Sequence, residues 1–360
     1  MMAVNELFEN YHLSWLNASG AEQDVVLSSR IRLARNFREL PFPNRANFTQ
    51  LAKAQELAES ALENISAAAG PSFDQVNMDQ LTQLQKNVLL EKQLVSRNLL
   101  KNPQYRKLFI SEDRQAGIMV NEEDHLRIQC MAPGLDLQRP FAMASRLDDA
   151  IEERLDIAFD EKMGYLTSCP TNLGTGLRAS VLLHLPGLVF TRNINNIINI
   201  SPQLGLAVRS LYSNGSEEVG NIFQISNQLT LGFTEEELLE NVTSAVREII
   251  AHERRARKAL SLYTKDRLED EIWRAYGTLK YARFLADTEV LTLLSKVRLG
   301  IDMGILQGVR PEVFTELLVA GRSNYLQQQA GNENMSKNEI DRKRADLVRQ
   351  ILNDPHPGQE

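Results

Sequence analysis

Apolar positions change their spacing several times along the chain. Between residues 4 and 20, Leu7, Phe8, Tyr11, Leu13, Trp15 and Leu16 make a short helical or extended arm with one apolar face, ended by Gly20. Val25 to Leu33 then reads as a strand that carries arginines. Helical spacing covers Asn44 to Ile65, where Gly70-Pro71 stops the segment, and returns over 79–100 through Leu81, Leu84, Val88, Leu89, Leu94 and Leu99. An arm followed by two helices predicts a small helical lobe over residues 1–104 that contributes to a larger catalytic unit.

Near residue 105 the pattern shortens. Leu108 to Ser111, Gly117 to Asn121 and Leu126 to Met131 read as successive antiparallel strands. A helix is expected over 144–161, with its apolar stripe at Ile151, Leu155 and Phe159. A second is expected from about Leu177 to Leu185-Pro186-Gly187-Leu188, and 189–201 includes a third whose limits the pattern leaves open. Leu206 to Tyr212 and Gly220 to Asn227 read as strands around a polar loop at Ser213 to Glu218. Residues 235–262 form a long amphipathic helix, capped by Thr234 with Glu237 as its reciprocal partner. From 265 to 329 the spacing is helical almost throughout. Asn332 to Ser336 breaks it, 337–352 is a charged helix, and Asn353 to Glu360 is expected to fray. The fold class is therefore α+β, with an antiparallel-sheet catalytic core and packed helices over 105–262 and a helical domain over 263–360.

Composition narrows the function. The 360 residues are 43% hydrophobic, enough for a full core, and carry a formal charge of -7, which argues against general nucleic-acid binding. Cys130 and Cys169, the only two cysteines, build neither a disulfide framework nor a metal cluster, and a reducing cytoplasm fits them. Five histidines without close pairing make no zinc site. No basic-then-apolar leader and no spanning apolar run is present.

The candidate chemistry starts at Thr167 to Arg178. Gly174 and Gly176 let the backbone turn sharply, Cys169 enters the loop, and Arg178 falls in the first turn of the helix expected there. Backbone N–H groups, a thiol and a guanidinium together suit an anionic ligand or a reacting group. A plain Gly/Ser/Thr turn with an inert cysteine is the competing reading. In Ser28-Ser29-Arg30-Ile31-Arg32, strand alternation puts Arg30 and Arg32 on one face, where they repel unless acids or a polyphosphate lie between them. Glu122, Glu123 and Asp124 form an acidic turn just before Arg127; a solvated turn is the alternative. Arg178 and Arg209 add two cations near the central loop. A nucleoside triphosphate matches such a set in charge and in forked geometry. Arginines would clamp the phosphates, a magnesium ion would bridge them, and a carboxylate would orient a nitrogen nucleophile. Glu122 or Glu123 could direct a guanidinium nitrogen, with Cys169 touching the same group.

Asn121-Glu122-Glu123-Asp124-His125-Leu126-Arg127 and Cys169-Pro170-Thr171-Asn172-Leu173-Gly174-Thr175-Gly176-Leu177-Arg178 resemble the two signatures of the guanidino phosphotransferases, the creatine and arginine kinases. The resemblance runs deepest to the bacterial protein arginine kinases. Ser28 to Arg32 and Gly220 to Asn227 match as well. It implies ATP and Mg2+. Arg30, Arg32, Arg127, Arg178 and Arg209 become nucleotide-phosphate arginines, within nucleotide segments that take in Ser28, Ser29 and Ile31, then Ala179, Ser180, Val181 and Leu182, then Ser210, Leu211, Tyr212, Ser213 and Asn214. Glu123, with Glu122 beside it, becomes the guanidinium-orienting carboxylate, and Cys169 the reactive cysteine. It implies protein substrates with exposed arginines, a small metal-binding activator protein, a stress-gene repressor among the targets, an ATP-dependent unfoldase and protease downstream, and a homodimer.

Three departures stand out. Asn214 replaces a second orienting glutamate, Gln93 replaces a nucleotide-contacting histidine, and Ile340 replaces the first arginine of a phosphoarginine-reading motif in which Asp341, Arg344 and Ala345 fit. Glu217 or Glu218 could stand in for the missing carboxylate. The implied activity is ATP-dependent phosphorylation of protein arginines that marks targets for proteolysis under stress. A kinase of small guanidines and a catalytically impaired phosphoarginine-binding adaptor are the alternatives.

Overall fold

The computed structural model describes residues 2–63, 72–214 and 217–353, and the side chains of residues 2–5, 213, 214 and 217 lie outside that description. In chain order the elements are α1 (Met2–Glu9), β1 (Val26–Arg35), α2 (Phe48–Leu62), β2 (Phe73–Asn77), α3 (Gln83–Glu91), β3 (Lys107–Ser111), β4 (Ala116–Val120), β5 (Leu126–Pro133) and α4 (Gln138–Glu152). There follow β6 (Phe159–Asp160), β7 (Gly164–Tyr165), β8 (Leu177–His184), α5 (Pro186–Phe190), α6 (Ile194–Ile200), β9 (Leu206–Ser210), β10 (Ser213–Asn214), β11 (Glu217–Glu218) and β12 (Ile222–Asn227). Only helices come after that: α7 (Glu235–Tyr263), α8 (Lys265–Tyr281), α9 (Asp287–Asp302), α10 (Glu312–Ala320), α11 (Ser323–Ala330) and α12 (Lys337–Asn353). The fold is α+β, as expected.

One eight-stranded sheet, in the order β2-β3-β4-β5-β1-β8-β12-β9, organises the molecule, and every pairing in it is antiparallel. β1 sits in its middle, so the arginine strand near the N-terminus is flanked by β5 and β8 rather than set apart in a helical lobe. Alternation then sorts each central strand. Ile31, Leu33, Ala179, Val181, Leu183 and Ile225 join the core built with α2, α4 and α7. A second core runs from the arm and α3 into the C-terminal helices, so Leu7, Val88, Leu182, Leu291, Leu317 and Val348 belong to one apolar cluster. Between the two, the middle of the second sheet face stays polar.

The expected helix from Leu177 is instead strand β8. Leu177, Ala179, Val181 and Leu183 are buried on one face while Arg178 and Ser180 take the other, which is a period of two. The helix-forming character of Leu, Arg and Ala gives way to a strand slot with partners on both sides. The helix expected over 144–161 begins earlier, at Gln138, and the one over 79–100 shrinks to α3. Thr234 and Glu237 do form a reciprocal capping box on α7.

Candidate active site

Cross-strand register builds the polar patch. Arg32 pairs with Gln129 on β5 and with Arg178 on β8, while Arg30 pairs with Met131 and Ser180. Arg127 pairs with Ala34, and Arg209 with Gln224. Directly opposed residues of an antiparallel pair point the same way. Arg30, Arg32, Arg127, Arg178 and Arg209 therefore rise from one sheet face, on four strands within the run β5-β1-β8-β12-β9. Arg35 escapes to the other face, where Asp148 pairs with it and Tyr165 lies 3.4 Å beneath its guanidinium.

Arg30, Arg32 and Arg178 are poorly neutralised. Burial, then Arg127 and Arg178, lowers the Arg30 pKa to about 10. Burial and the same neighbours, with Arg30 added, push Arg32 well below its ordinary value. Burial, Arg209 and Arg127 lower Arg178 as well. Hydrogen bonds compensate little. Arg30 donates to Gln224 and at 3.5 Å to Ser180, and Arg178 donates at 3.4 Å to Ser226. The Nε atoms of Arg32 and Arg178 are buried without an acceptor. Orphaned cationic donors on one concave face want an anion with several oxygens.

The acidic turn closes one end. Asn121 adopts φ 57°, a conformation asparagine tolerates, and donates its side-chain amide to Leu51 O at 2.9 Å and Tyr105 O at 2.7 Å. This fixes the β4–β5 turn and separates its glutamates. Glu122 is buried and pairs with Arg127 at 3.0 Å, with Ser96 and the Glu123 N–H as further donors. Burial raises its pKa, but those partners outweigh it and the net shift is downward. Glu123 takes no hydrogen bond among the described residues. Burial, with Glu122 and Asp124 beside it, raises its pKa. Of the two candidates, Glu122 braces the arginines and Glu123 is the free acceptor.

Cys169 faces the same pocket as Glu122, Glu123, Arg32, Arg127 and Arg178, with its Sγ 3.0 Å from Thr171 Oγ1. This loop is held by Asp124, read from the sequence only as part of the acidic turn, and by Thr230, which the sequence did not single out. Buried Asp124 accepts from Ser168 N and Asn36 Nδ2, both at 2.6 Å, and Thr230 Oγ1 donates to Leu173 O at 2.6 Å. A buried Asp next to two other acids is the signal that could have marked Asp124. Gly176 has φ +66°, and a Cβ there would lie 2.6 Å from Arg35 Nη1 and 2.7 Å from Ala34 O. Gly176→Ala should therefore cost about 2 kcal/mol or more of stability. Thermal melting checks this; an unchanged midpoint would refute the tight packing of loop against β1.

Other expected residues fall elsewhere. Ser29, Ile31, Ala179 and Val181 point away from the patch: Ser29 Oγ donates to Gly134 O at 2.8 Å, and the other three are in the helix-covered core. Only their backbone could serve a ligand. Ser28, Ser180 and Leu182 line a small cavity with Arg30, Gln93 and Trp15. Ser210 donates to Tyr212 O at 2.8 Å, Leu211 N to Ile222 O at 2.9 Å, and the Tyr212 ring lies under the C-terminal domain. Ser213 and Asn214 are strand β10 opposite Glu218 and Glu217; the side chains of Ser213, Asn214 and Glu217 are outside the described residues. Asp341, Arg344 and Ala345 lie on α12, away from this patch. Arg344 is 1% exposed, Ala345 is fully buried, and the Arg344 guanidinium already donates to Gly321 O, Leu285 O, Ser323 Oγ and Asp341. Arg344 thus braces its own domain in this structure.

The comparisons agree with this geometry. Residues 53–256 match the model of the ATP:guanido phosphotransferase C-terminal catalytic domain, and residues 265–360 match that of the protein-arginine kinase McsB C-terminal domain. The protein-arginine kinase of Desulforamulus reducens is 43% identical over 98% of this chain and 99% of its own length. That of Bacillus subtilis is 44% identical over 98% and 96%. Among solved structures, lombricine kinase superposes with a TM-score of 0.55 at 23% identity, over 70% of this chain and 75% of that one. A duplicated taurocyamine kinase from Schistosoma mansoni gives 0.58 at 24%, with 73% of this chain matched to 40% of that longer one. These two likenesses concern the fold. An arginine-lined sheet face, an acidic turn and a cysteine loop are thus joined to matches over nearly the whole sequence, and the chain belongs to the protein-arginine kinases of the ATP:guanido phosphotransferase family.

Proposed function

We propose that this chain transfers the γ-phosphoryl group of ATP to arginine side chains of proteins. The observation that carries it is the meeting of Arg30, Arg32, Arg127, Arg178 and Arg209 on one sheet face beside an unpaired Glu123. The arginines supply forked donors for the triphosphate and for charge that spreads over the transferring group. Among the described residues no three His, Cys, Asp or Glu side chains are grouped to hold a metal ion. A magnesium ion brought with the nucleotide would supply charge neutralisation on the phosphates.

A protonated guanidinium is a poor nucleophile. Glu123 would localise its charge, aim one nitrogen and take that nitrogen's proton as the P–N bond forms and the bond to the leaving ADP oxygen breaks. The raised pKa of Glu123 brings it closer to the proton it must accept. Cys169, in the same pocket, would contact the other guanidinium nitrogens. Exposed Met163, Leu229 and Leu231 lie on segments flanking the cysteine loop and offer apolar ground for a polypeptide acceptor.

In this reading residues 1–104 and 105–262 together form the transferase, and 263–360 form the regulatory and dimerising part. The activator, repressor target and downstream protease implied by the resemblance belong to the same reading. No described helix is long and apolar enough to cross a membrane. The test is incubation with magnesium-ATP and an arginine-rich protein, followed by mass spectrometry without acid, which would cleave a P–N bond. Phosphoarginine should appear, and Cys169→Ala should reduce it. Phosphoarginine binding without transfer would overturn the proposal in favour of an adaptor.

A further inference from the structure

The start of α11 grips two segments that border the nucleotide face. On one side Glu91, at the end of α3, accepts from Asn324 Nδ2 at 2.6 Å, Asn324 N at 3.2 Å and Tyr325 N at 2.9 Å. Two residues further on, Gln93 turns through φ 56°, accepts from Gln129 Nε2 at 3.2 Å and lines the small cavity beside Arg30. On the other side the Arg322 guanidinium lies 4.8 Å from the centre of the Tyr212 ring. Tyr212 sits between Arg209 and Asn214, and its carbonyl accepts from Val219 N at 3.0 Å and Ser210 Oγ at 2.8 Å. Fixing the Tyr212 ring fixes the segment that joins β10 to β9, the strand that carries Arg209.

Arg322 is itself held. Asp287, in the first turn of α9, pairs with it at 2.9 Å. Buried Arg344 ties the adjoining residues together through Gly321 O at 2.7 Å, Ser323 Oγ at 2.8 Å and Leu285 O at 2.7 Å. One continuous set of contacts therefore runs from α12 and α9 to the Tyr212 ring. A cation over an aromatic face in a water-poor joint is worth more than at the surface.

We infer that Arg322 is a positioning residue for the nucleotide: through Tyr212 it lets the C-terminal helical domain set the place of residues 209–212, and so of Arg209. This rests on the assignment of the arginine face to ATP. A change in the Asp287–Arg322–Arg344 contacts then alters nucleotide affinity without touching the acceptor pocket.

The test uses the full chain with Arg322→Ala, Arg322→Lys, Tyr212→Leu and Tyr212→Phe, and reads KM for ATP, kcat, KM for the protein acceptor and hydrogen exchange. Arg322→Ala and Tyr212→Leu should each raise KM for ATP about three- to tenfold, with kcat and acceptor KM within about twofold. The double variant should be no worse than either single one. Lysine at 322 and phenylalanine at 212 should restore most of the affinity, because cation and ring remain. Independently of ATP, the amides of Leu211 and Val219, bonded to Ile222 O and Tyr212 O, should exchange faster in Arg322→Ala while β8 does not change. Unchanged ATP KM and unchanged exchange in Arg322→Ala would overturn the inference, as would equal damage from Lys and Ala at 322. Arg178→Gln serves as the control: if it leaves ATP binding intact, the nucleotide assignment itself fails, and if it weakens ATP binding while Arg322→Ala does not, only the positioning role fails.

Discussion

Glu123→Gln should lower arginine phosphorylation by about 10² to 10⁴-fold, the range expected for a removed general base, while leaving the melting temperature near that of the parent. The substitution keeps the size of a side chain that takes no hydrogen bond from the protein, so folding has little to lose. What it removes is the only carboxylate of the turn free to accept a proton from the guanidinium. Glu122→Gln separates the roles. That change leaves Arg127 without its 3.0 Å partner in a buried setting, so stability should fall along with activity. The pH profile gives an independent readout. Burial, Glu122 and Asp124 raise the Glu123 pKa above its ordinary 4.5, and the base works only when ionised. The kcat/KM for the protein acceptor should therefore rise with pH through a carboxylate step, and Glu123→Gln should abolish that step. A profile whose acid limb survives in Glu123→Gln would assign the proton to another group.

Much of this site could be read from the chain because the chemistry needs particular residues at short range. Arg30 and Arg32 are two apart on a strand, and that spacing alone puts them on one face. Thr234 and Glu237 announced a helix start for the same local reason. What the chain could not tell was register. Arg32 opposes Arg178 only because β1 runs antiparallel to β8 over seven paired positions, and no local pattern encodes that partnership. The misassigned helix at Leu177 has the same origin: its residues favour helix in isolation and become a strand by filling the slot between β1 and β12. The bracing role of Asp124, and Asn36 altogether, went unread because their work is to join segments far apart in sequence. The buried Arg344 shows the converse. Its letters fit a ligand-reading pattern, yet here its donors are spent on carbonyls and a hydroxyl of its own domain.

Arg32→Gln should reduce transfer by about 10³-fold, the scale of an arginine that stabilises a transferring phosphoryl group, and yet make the nucleotide-free protein no less stable. The two expectations have one cause. Arg32 is half-buried, repelled by Arg30, Arg127 and Arg178, and its buried Nε has no acceptor. Its folded pKa lies below the unfolded one, so the unfolded chain holds the proton more tightly. The cost of carrying the charge into the fold is present in full below the folded pKa and fades as pH rises from there to the unfolded value. Glutamine keeps a polar side chain without the charge, so the nucleotide-free melting temperature should hold or rise, by about 1 kcal/mol or a few degrees. Saturating ATP should then stabilise the parent by about 2.7 kcal/mol at a hundredfold excess over Kd, and the variant by far less at the same concentration. Thermal melts with and without magnesium-ATP measure both halves. A nucleotide-free Arg32→Gln protein that melts well below the parent would mean that Arg32 holds the fold together instead of waiting for phosphate.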